Sequence, residues 1–307
     1  MSASVLNKSG KRAWRGLVMA AVLLWAGAAA AKGPLYLWEL SDARGELRAW
    51  LYGTIHVCDA ACFPLPADVQ KALAAADSLA LELDPADPLL ARRLGEAALL
   101  PAGQQLDALL PPALRPRLAA VAARLGLPGE VLQRLQPWMA GTLLTVRAAQ
   151  QAGFGTEHGV DLWLARAARE RGLPLAALEN VDRQIRALAA GGAAAQRASL
   201  AEVIGLIEDD AAPAYFAGLL AAWRAGQVEQ IDRLVREDAA SPEMAPLLAE
   251  LLDARNREMA DAIAARLQPG RRAFIAVGAG HFGGAGGLLE LLASRGFRLR
   301  QVEAEHD

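Results

Sequence analysis

Cysteine, histidine and aromatic residues are all scarce in this chain of 307 residues. It holds two cysteines, four histidines and 5% aromatics. The cysteines, Cys58 and Cys62, form one C-x3-C and have no second pair, which excludes the usual four-thiolate zinc site. They are read as a short disulfide, with two free thiols or a thiolate metal pair as the alternatives. No C-x-x-C-H stretch is present for covalent haem attachment, and no H-E-x-x-H for a helix-borne zinc protease site. Clusters of basic residues are also missing. The arginines are scattered among glutamates and the net charge is −2, which argues against nucleic acid as the main partner. Beyond residue 31 no apolar run approaches the roughly 20 residues of a membrane span. There is no repeat of solenoid period and no long Ser- or Gly-rich linker.

What is present is apolar and helix-forming. Hydrophobic residues make up 54% of the chain, with Ala and Leu dominant, enough for a sizeable core. The start stands apart: Lys8, Lys11, Arg12 and Arg15 precede "GLVMAAVLLWAGAAAA". This is the pattern of a secretory signal peptide over 1–31, with cleavage after Ala31; an uncleaved anchor is the alternative. The expected mature protein, 32–307, is secreted or periplasmic, is a single domain and keeps no stable membrane span. Export makes a Cys58–Cys62 disulfide permissible.

Along that domain, "LYLWEL" (35–40) and "LRAWLYG" (47–53) read as strands around the turn "SDARGE". "SLALELD" (78–84) alternates as a strand with Leu79, Leu81 and Leu83 on one face and Glu82 and Asp84 on the other. "LPLAALE" reads as a short buried strand, "RRAFIAVGAGH" as another and "FRLRQVEA" as the last. Between them lie long helical stretches. The expected fold is α/β or α+β: a central mixed sheet with a helical subdomain over about 90–270. Helices within 105–150 and 195–250 are expected to form a pocket wall or lid.

Four polar residues share one predicted address. His56, Glu82, Glu179 and His281 each sit at or just past the carboxyl end of a predicted strand, the edge where open α/β sheets place ligand sites. If those strands run parallel, two imidazoles and two carboxylates converge, an inventory suited to a divalent ion such as Mn²⁺, Co²⁺ or Zn²⁺. Such an ion activates water, and a carboxylate not spent on it can act as base. Gly53 and Gly278 lack a Cβ beside these positions. Gly280, Gly283 and Gly284 offer backbone N–H groups as an anion cradle. Taken singly, each of these residues is more often structural; their joint placement carries the reading. His158 reads as a helix-start residue and His306 as a solvated tail residue.

The ordered set "WLYGTIHV", "FPLP", "LALELD", "GVDLWLARAARERGLPLAALENVDRQI", "RNREMADAI" and "FIAVGAGHFGGAGGLLELLASRGFRLRQV" resembles the TraB/GumN family over roughly residues 35–302. That family is similar to the Tiki metalloproteases and to the erythromycin-esterase-like and ChaN-like haem-binding fold. The resemblance implies a metal centre of His56, Glu82 and His281 from its two G-x-x-H motifs and first acidic strand end. Glu179 and Gln184 fall in its second acidic motif, and Arg255 and Asn256 in its "RN" element. On this reading Arg255 holds a substrate carboxylate or stabilises an oxyanion, and Asn256 orients a ligand. The implied function is an exported metal-dependent hydrolase of peptidase type acting on a peptide or small molecule. The alternative is a binding protein for haem, iron or a peptide.

Overall fold

The computed structural model describes residues 33–236 and 241–304; the leader read at 1–31 and His306 lie outside them. A hairpin begins the fold. Strands β1 (Pro34–Ser41) and β2 (Leu47–Thr54) pair antiparallel. The turn between them is closed by Asp42, whose carboxylate accepts the N–H of Arg44 at 2.9 Å and of Glu46 at 3.0 Å, and by Gly45 at φ +85°. Four further strands follow: β3 (Ser78–Leu81), β4 (Leu175–Ala177), β5 (Ala273–Gly278) and β6 (Arg298–Glu303). They make one mixed sheet in the order β4-β3-β5-β2-β1-β6. The β4-β3-β5-β2 part is parallel throughout, and β1 runs against both β2 and β6.

That parallel run aligns the strand ends. Leu81 faces both Ala177 and Ala276, and Thr54 faces Gly278. The chain leaves all four strands at one edge, as the sequence pattern requires for its four polar residues to meet.

Two strands differ from expectation. The alternation read over 78–84 stops being a strand at Leu81. Leu79, Ala80 and Leu81 are all buried, because β3 lies inside a parallel sheet covered on both faces. Glu82 therefore leaves the ladder at its end, and Asp84 turns away to pair with Arg169. β4 was expected to be buried, but it is the edge strand, and Ala176 on it is exposed.

The helices are α1 (Ala67–Ala75), α2 (Pro88–Ala98), α3 (Leu106–Leu109), α4 (Leu114–Arg124), α5 (Gly129–Gln133), α6 (Pro137–Gln151) and α7 (Val160–Glu170). After β4 come α8 (Val181–Leu188), α9 (Gly192–Glu208), α10 (Ala212–Arg224), α11 (Val228–Arg236), α12 (Ala245–Leu248), α13 (Arg255–Arg266) and α14 (Leu288–Ser294). Caps mark several starts. Asp87 accepts the N–H of Leu89 ahead of Pro88, and Asn180 accepts that of Arg183. Among the described residues no helix is long and apolar enough to cross a membrane.

Two apolar cores result. One covers the sheet and takes in Val160 and Leu164 of α7, Trp223 of α10 and Met259 and Ile263 of α13. The other is purely helical, built from residues such as Leu106, Leu118, Leu144, Ile204 and Phe216. The stretch 90–270 is thus divided between the cores. Its 105–150 part and the start of its 195–250 part bury their apolar faces against each other.

Gly53 explains part of the sheet packing. A Cβ there would lie 2.1 Å from Cδ1 of Tyr36, and its carbonyl accepts the indole N–H of Trp223 at 2.7 Å. Gly53→Ala is expected to destabilise the fold by about 1–3 kcal/mol through overpacking, read as a lowered urea midpoint with an unchanged slope.

Candidate functional site

The aligned strand ends deliver Glu82 after β3, Glu179 after β4, His56 after β2 and His281 after β5. Arg255 and Asn256 arrive from elsewhere. A π-helical turn over Ala249–Ala254 joins α12 to α13, and the two residues open the helix that follows it. Wide turns of this kind recur at functional sites.

Arg255 is buried among carboxylates. Its Nε and Nη2 bind the two oxygens of Glu179 at 3.0 and 2.5 Å, and Nη2 also reaches Oε2 of Glu82 at 2.5 Å. Oε1 of Glu82 accepts the N–H of Gly278 at 2.6 Å. Burial alone would raise the Glu82 pKa, but the charges of His281, Arg255 and His56 and the Gly278 N–H outweigh it and bring it down to about 2. Glu179 is shifted upward, because its burial outweighs the help of Arg255. The same two glutamates hold the Arg255 pKa above its ordinary value against the cost of burial.

The two histidines are anchored alike and charged differently. His281 Nδ1 lies 2.6 Å from Oδ1 of Asn256, and its Nε2 lies 3.1 Å from Nη1 of Arg255. A guanidinium only donates, so Nε2 is the acceptor and Nδ1 carries the proton. The amide nitrogen of Asn256 donates to the Gly286 carbonyl at 2.9 Å, which fixes its orientation. Burial, with Arg255 and His56 adding to it, pulls the His281 pKa down to about 4 against the pull of Glu82. His56 Nδ1 lies 3.2 Å from Oδ1 of Asp161, and its side chain is 63% exposed at the cleft mouth. Partial enclosure would lower the His56 pKa, but Asp161, through its hydrogen bond and charge, and then Glu82 raise it to about 9.

Gly278 is where these groups meet. A Cβ placed on it would lie 3.0 Å from Oε1 of Glu82, 3.6 Å from Nε2 of His56 and 3.7 Å from Cδ2 of His281. A cavity of about 270 Å³ opens beside them; its lining includes His56, Glu82, Asp161, Leu83, Leu90 and Gln184. Glycine keeps that convergence point open.

The remaining expected residues fall elsewhere. Gly53 packs on Tyr36, inside the sheet core. Gly280 faces Val235 of α11, and Gly283 and Gly284 press on Val228 and Asp232 of the same helix. A carboxylate beside Gly284 does not suit an anion cradle. His158 closes a half-exposed 3-10 turn ahead of α7. The cavity is lined by residues of α2, α7 and α8, and none of its lining comes from 105–150 or 195–250. Asp161 is the residue that the sequence reading passed over. Its signal lay in "GVD" at the start of α7, tied to the His56 loop by the Val160 N–H to Ile55 carbonyl bond at 2.9 Å.

Cys58 and Cys62 form a disulfide just past His56. With Asp59 they are the one group of three or more close metal-donor side chains among the described residues, but their sulfurs are spent on each other. The atoms of His56, Glu82 and His281 are not gathered that tightly. Their chemistry nevertheless fits a divalent ion. Two imidazoles are each fixed through Nδ1 by an oxygen acceptor, the usual support behind metal-binding histidines, and the ionised Glu82 lies beside the same glycine; His281 Nε2 would exchange its Arg255 partner for the ion.

Comparison with known proteins gives the family of the chain. The TraB/PrgY/gumN family matches residues 36–301, and the chain belongs to that family. It is 27% identical to the metalloprotease TIKI2 of Danio rerio over 88% of this chain and 60% of that protein. It is 28% identical to the uncharacterised protein YbaP of Escherichia coli (strain K12) and to that of Shigella flexneri, in each case over 53% of this chain and 59% of the relative. The matches thus span about 60% of the length of these curated relatives. No solved structure matches the chain.

Two outcomes follow from the buried charges. Arg255→Met strands two buried carboxylates and is expected to cost about 3–5 kcal/mol in urea unfolding, with partial recovery in Arg255→Met/Glu179→Gln. In metal-free protein, His281 titrates near 4 when folded and near 6.5 when unfolded, so stability is lost as pH falls through that window. Glu82, lowered to about 2, adds a further loss below its ordinary 4.5. His56, raised to about 9, works the other way as pH falls towards its ordinary 6.5, and Glu179, shifted upward, offsets part of the loss. Urea midpoints measured from pH 6 to 3 should therefore fall overall, and His281→Gln should flatten the upper part.

Proposed function

We propose that this member of the TraB/PrgY/gumN family is an exported metal-dependent hydrolase that cleaves amide bonds of the peptide type. The observation that carries the reading is the meeting of His56, Glu82 and His281 at Gly278, beside an open cavity. The distant similarity to the metalloprotease TIKI2 supports it. The disulfide is compatible with an exported protein.

His56, Glu82 and His281 would hold the ion, and Mn²⁺, Co²⁺ or Zn²⁺ suits the set. When bound, it supplies Lewis acidity and a bound water of lowered pKa. The chain's own residues do the rest. Asn256 holds the Nδ1 proton of His281, and its Nε2 lone pair faces Arg255 in the metal-free arrangement. Asp161 holds the Nδ1 proton of His56 and so orients Nε2 inward. Both Glu179 oxygens are committed to Arg255, so Glu179 serves to position Arg255. Asp161 is the carboxylate left on the cavity, and its second oxygen takes the proton of the attacking water. The water oxygen bonds to the carbonyl carbon, the C–N bond breaks, and the proton passes to the leaving amine.

Arg255 does not line the cavity, so the role of receiving a substrate carboxylate has no support in the geometry. The haem-binding alternative has less support than hydrolysis. The cavity, at about 270 Å³, falls below the roughly 300–1,000 Å³ of pockets for drug-sized ligands.

Purified protein dialysed and supplied with Mn²⁺, Co²⁺ or Zn²⁺ is expected to cleave a mixed peptide library. Cleavage should vanish in His56→Ala and fall by about 10²–10⁴-fold in Asp161→Asn. An absence of both cleavage and metal retention with all three ions would overturn the reading.

A further inference from the structure

The cavity beside the proposed centre has a chemically mixed lining. Its ionisable residues are His56, Glu82 and Asp161. The apolar part of the lining is Leu81 of β3 and Ala276 of β5 together with Leu83, Pro85 and Leu90. We propose that these aliphatic residues form a subsite for a neutral aliphatic side chain, so that the substrates are peptides or amides carrying such a side chain next to the bond that is cut. The proposal rests on the hydrolase reading above and adds to it the substrate class.

Charge makes the first part of the argument. No lysine or arginine is among the cavity's lining residues. The guanidinium that binds Glu82 of the lining, that of Arg255, is shared between Glu82 and Glu179. Two carboxylates face the cavity against one imidazole, so an acidic side chain or a free terminal carboxylate meets repulsion and finds no partner. A basic side chain is drawn to Glu82 and Asp161 rather than to Leu83, Pro85 and Leu90, where its charge would lose hydration without an acceptor. The one carboxylate oxygen recorded on His56, Oδ1 of Asp161, is already in use.

Size and polarity make the second part. A space of about 270 Å³ holds one side chain with its carbonyl rather than a folded segment. Gln184, on α8, is the neutral hydrogen-bonding side chain on the lining that belongs to neither the ionisable set nor a strand. Its amide can both donate and accept, which suits a peptide group of the substrate. The aliphatic residues then take the adjoining side chain, and the carbonyl is left towards His56 and Glu82.

The test uses blocked dipeptide amides that differ at one side chain: Gly, Ala, Leu, Asp and Lys. Calorimetry measures their binding to the metal-free wild-type chain, and mass spectrometry measures cleavage after addition of Mn²⁺, Co²⁺ or Zn²⁺. The leucyl compound is expected to exceed the glycyl one by about 10–200-fold, with the aspartyl compound weakest. Leu90→Asp should remove the leucyl preference without weakening the lysyl compound and with an unchanged circular dichroism spectrum, and Leu83→Gln provides a second variant should the first fail to fold. Leucyl preference in binding without cleavage upholds the subsite and overturns the hydrolase reading. Cleavage without side-chain preference overturns the subsite and upholds the hydrolase. Neither binding nor cleavage overturns both.

Discussion

A single guanidinium shared by two buried carboxylates organises this molecule's cleft. Glu82 and Glu179 leave adjacent parallel strands at the same edge, where two negative charges would face each other out of water. Arg255 lies between them and neutralises the pair. Its helix, which follows a π-helical turn, docks over the strand ends. Arg255 and Asn256 bracket the ring of His281 from its two nitrogens. The charge cluster and the position of α13 are one constraint, since a buried ion pair that loses a partner leaves an uncompensated charge.

From that anchor the two imidazoles take opposite characters. His281 lies inside the cluster, where burial and the neighbouring guanidinium keep it neutral. His56 stands at the mouth, and Asp161 favours its protonated form. Environments that drive like groups apart in pKa are a common way to assign acid and base roles within one site. Here the division follows from which second residue each ring meets.

Much of the site was legible because its residues come in short runs at strand ends. "WLYGTIH", "LALE", "LAALE" and "VGAGH" each place an apolar ladder before a polar residue, and the parallel register brings those ends together. The family resemblance added Arg255 and Asn256, which no local pattern marks. Asp161 lies in a family-like run but was not singled out. It reaches His56 across 105 positions of chain, and a single acid in a helix's first turn is otherwise an ordinary response to the helix dipole. The glycines divided for a similar reason. Gly53 and Gly278 look alike in sequence, yet one abuts Tyr36 and the other the site.

The sequence by itself determined the mixed α/β class, the strands that bear the polar residues, and the four strand-end groups, because hydrophobic spacing and strand-end chemistry are local properties. Tertiary structure alone decided which strands lie side by side, which carboxylate is locked behind Arg255, and which helices line the cavity. Those outcomes depend on contacts between segments far apart in the chain, where burial, charge pairing and close packing select among partners that local sequence leaves equivalent.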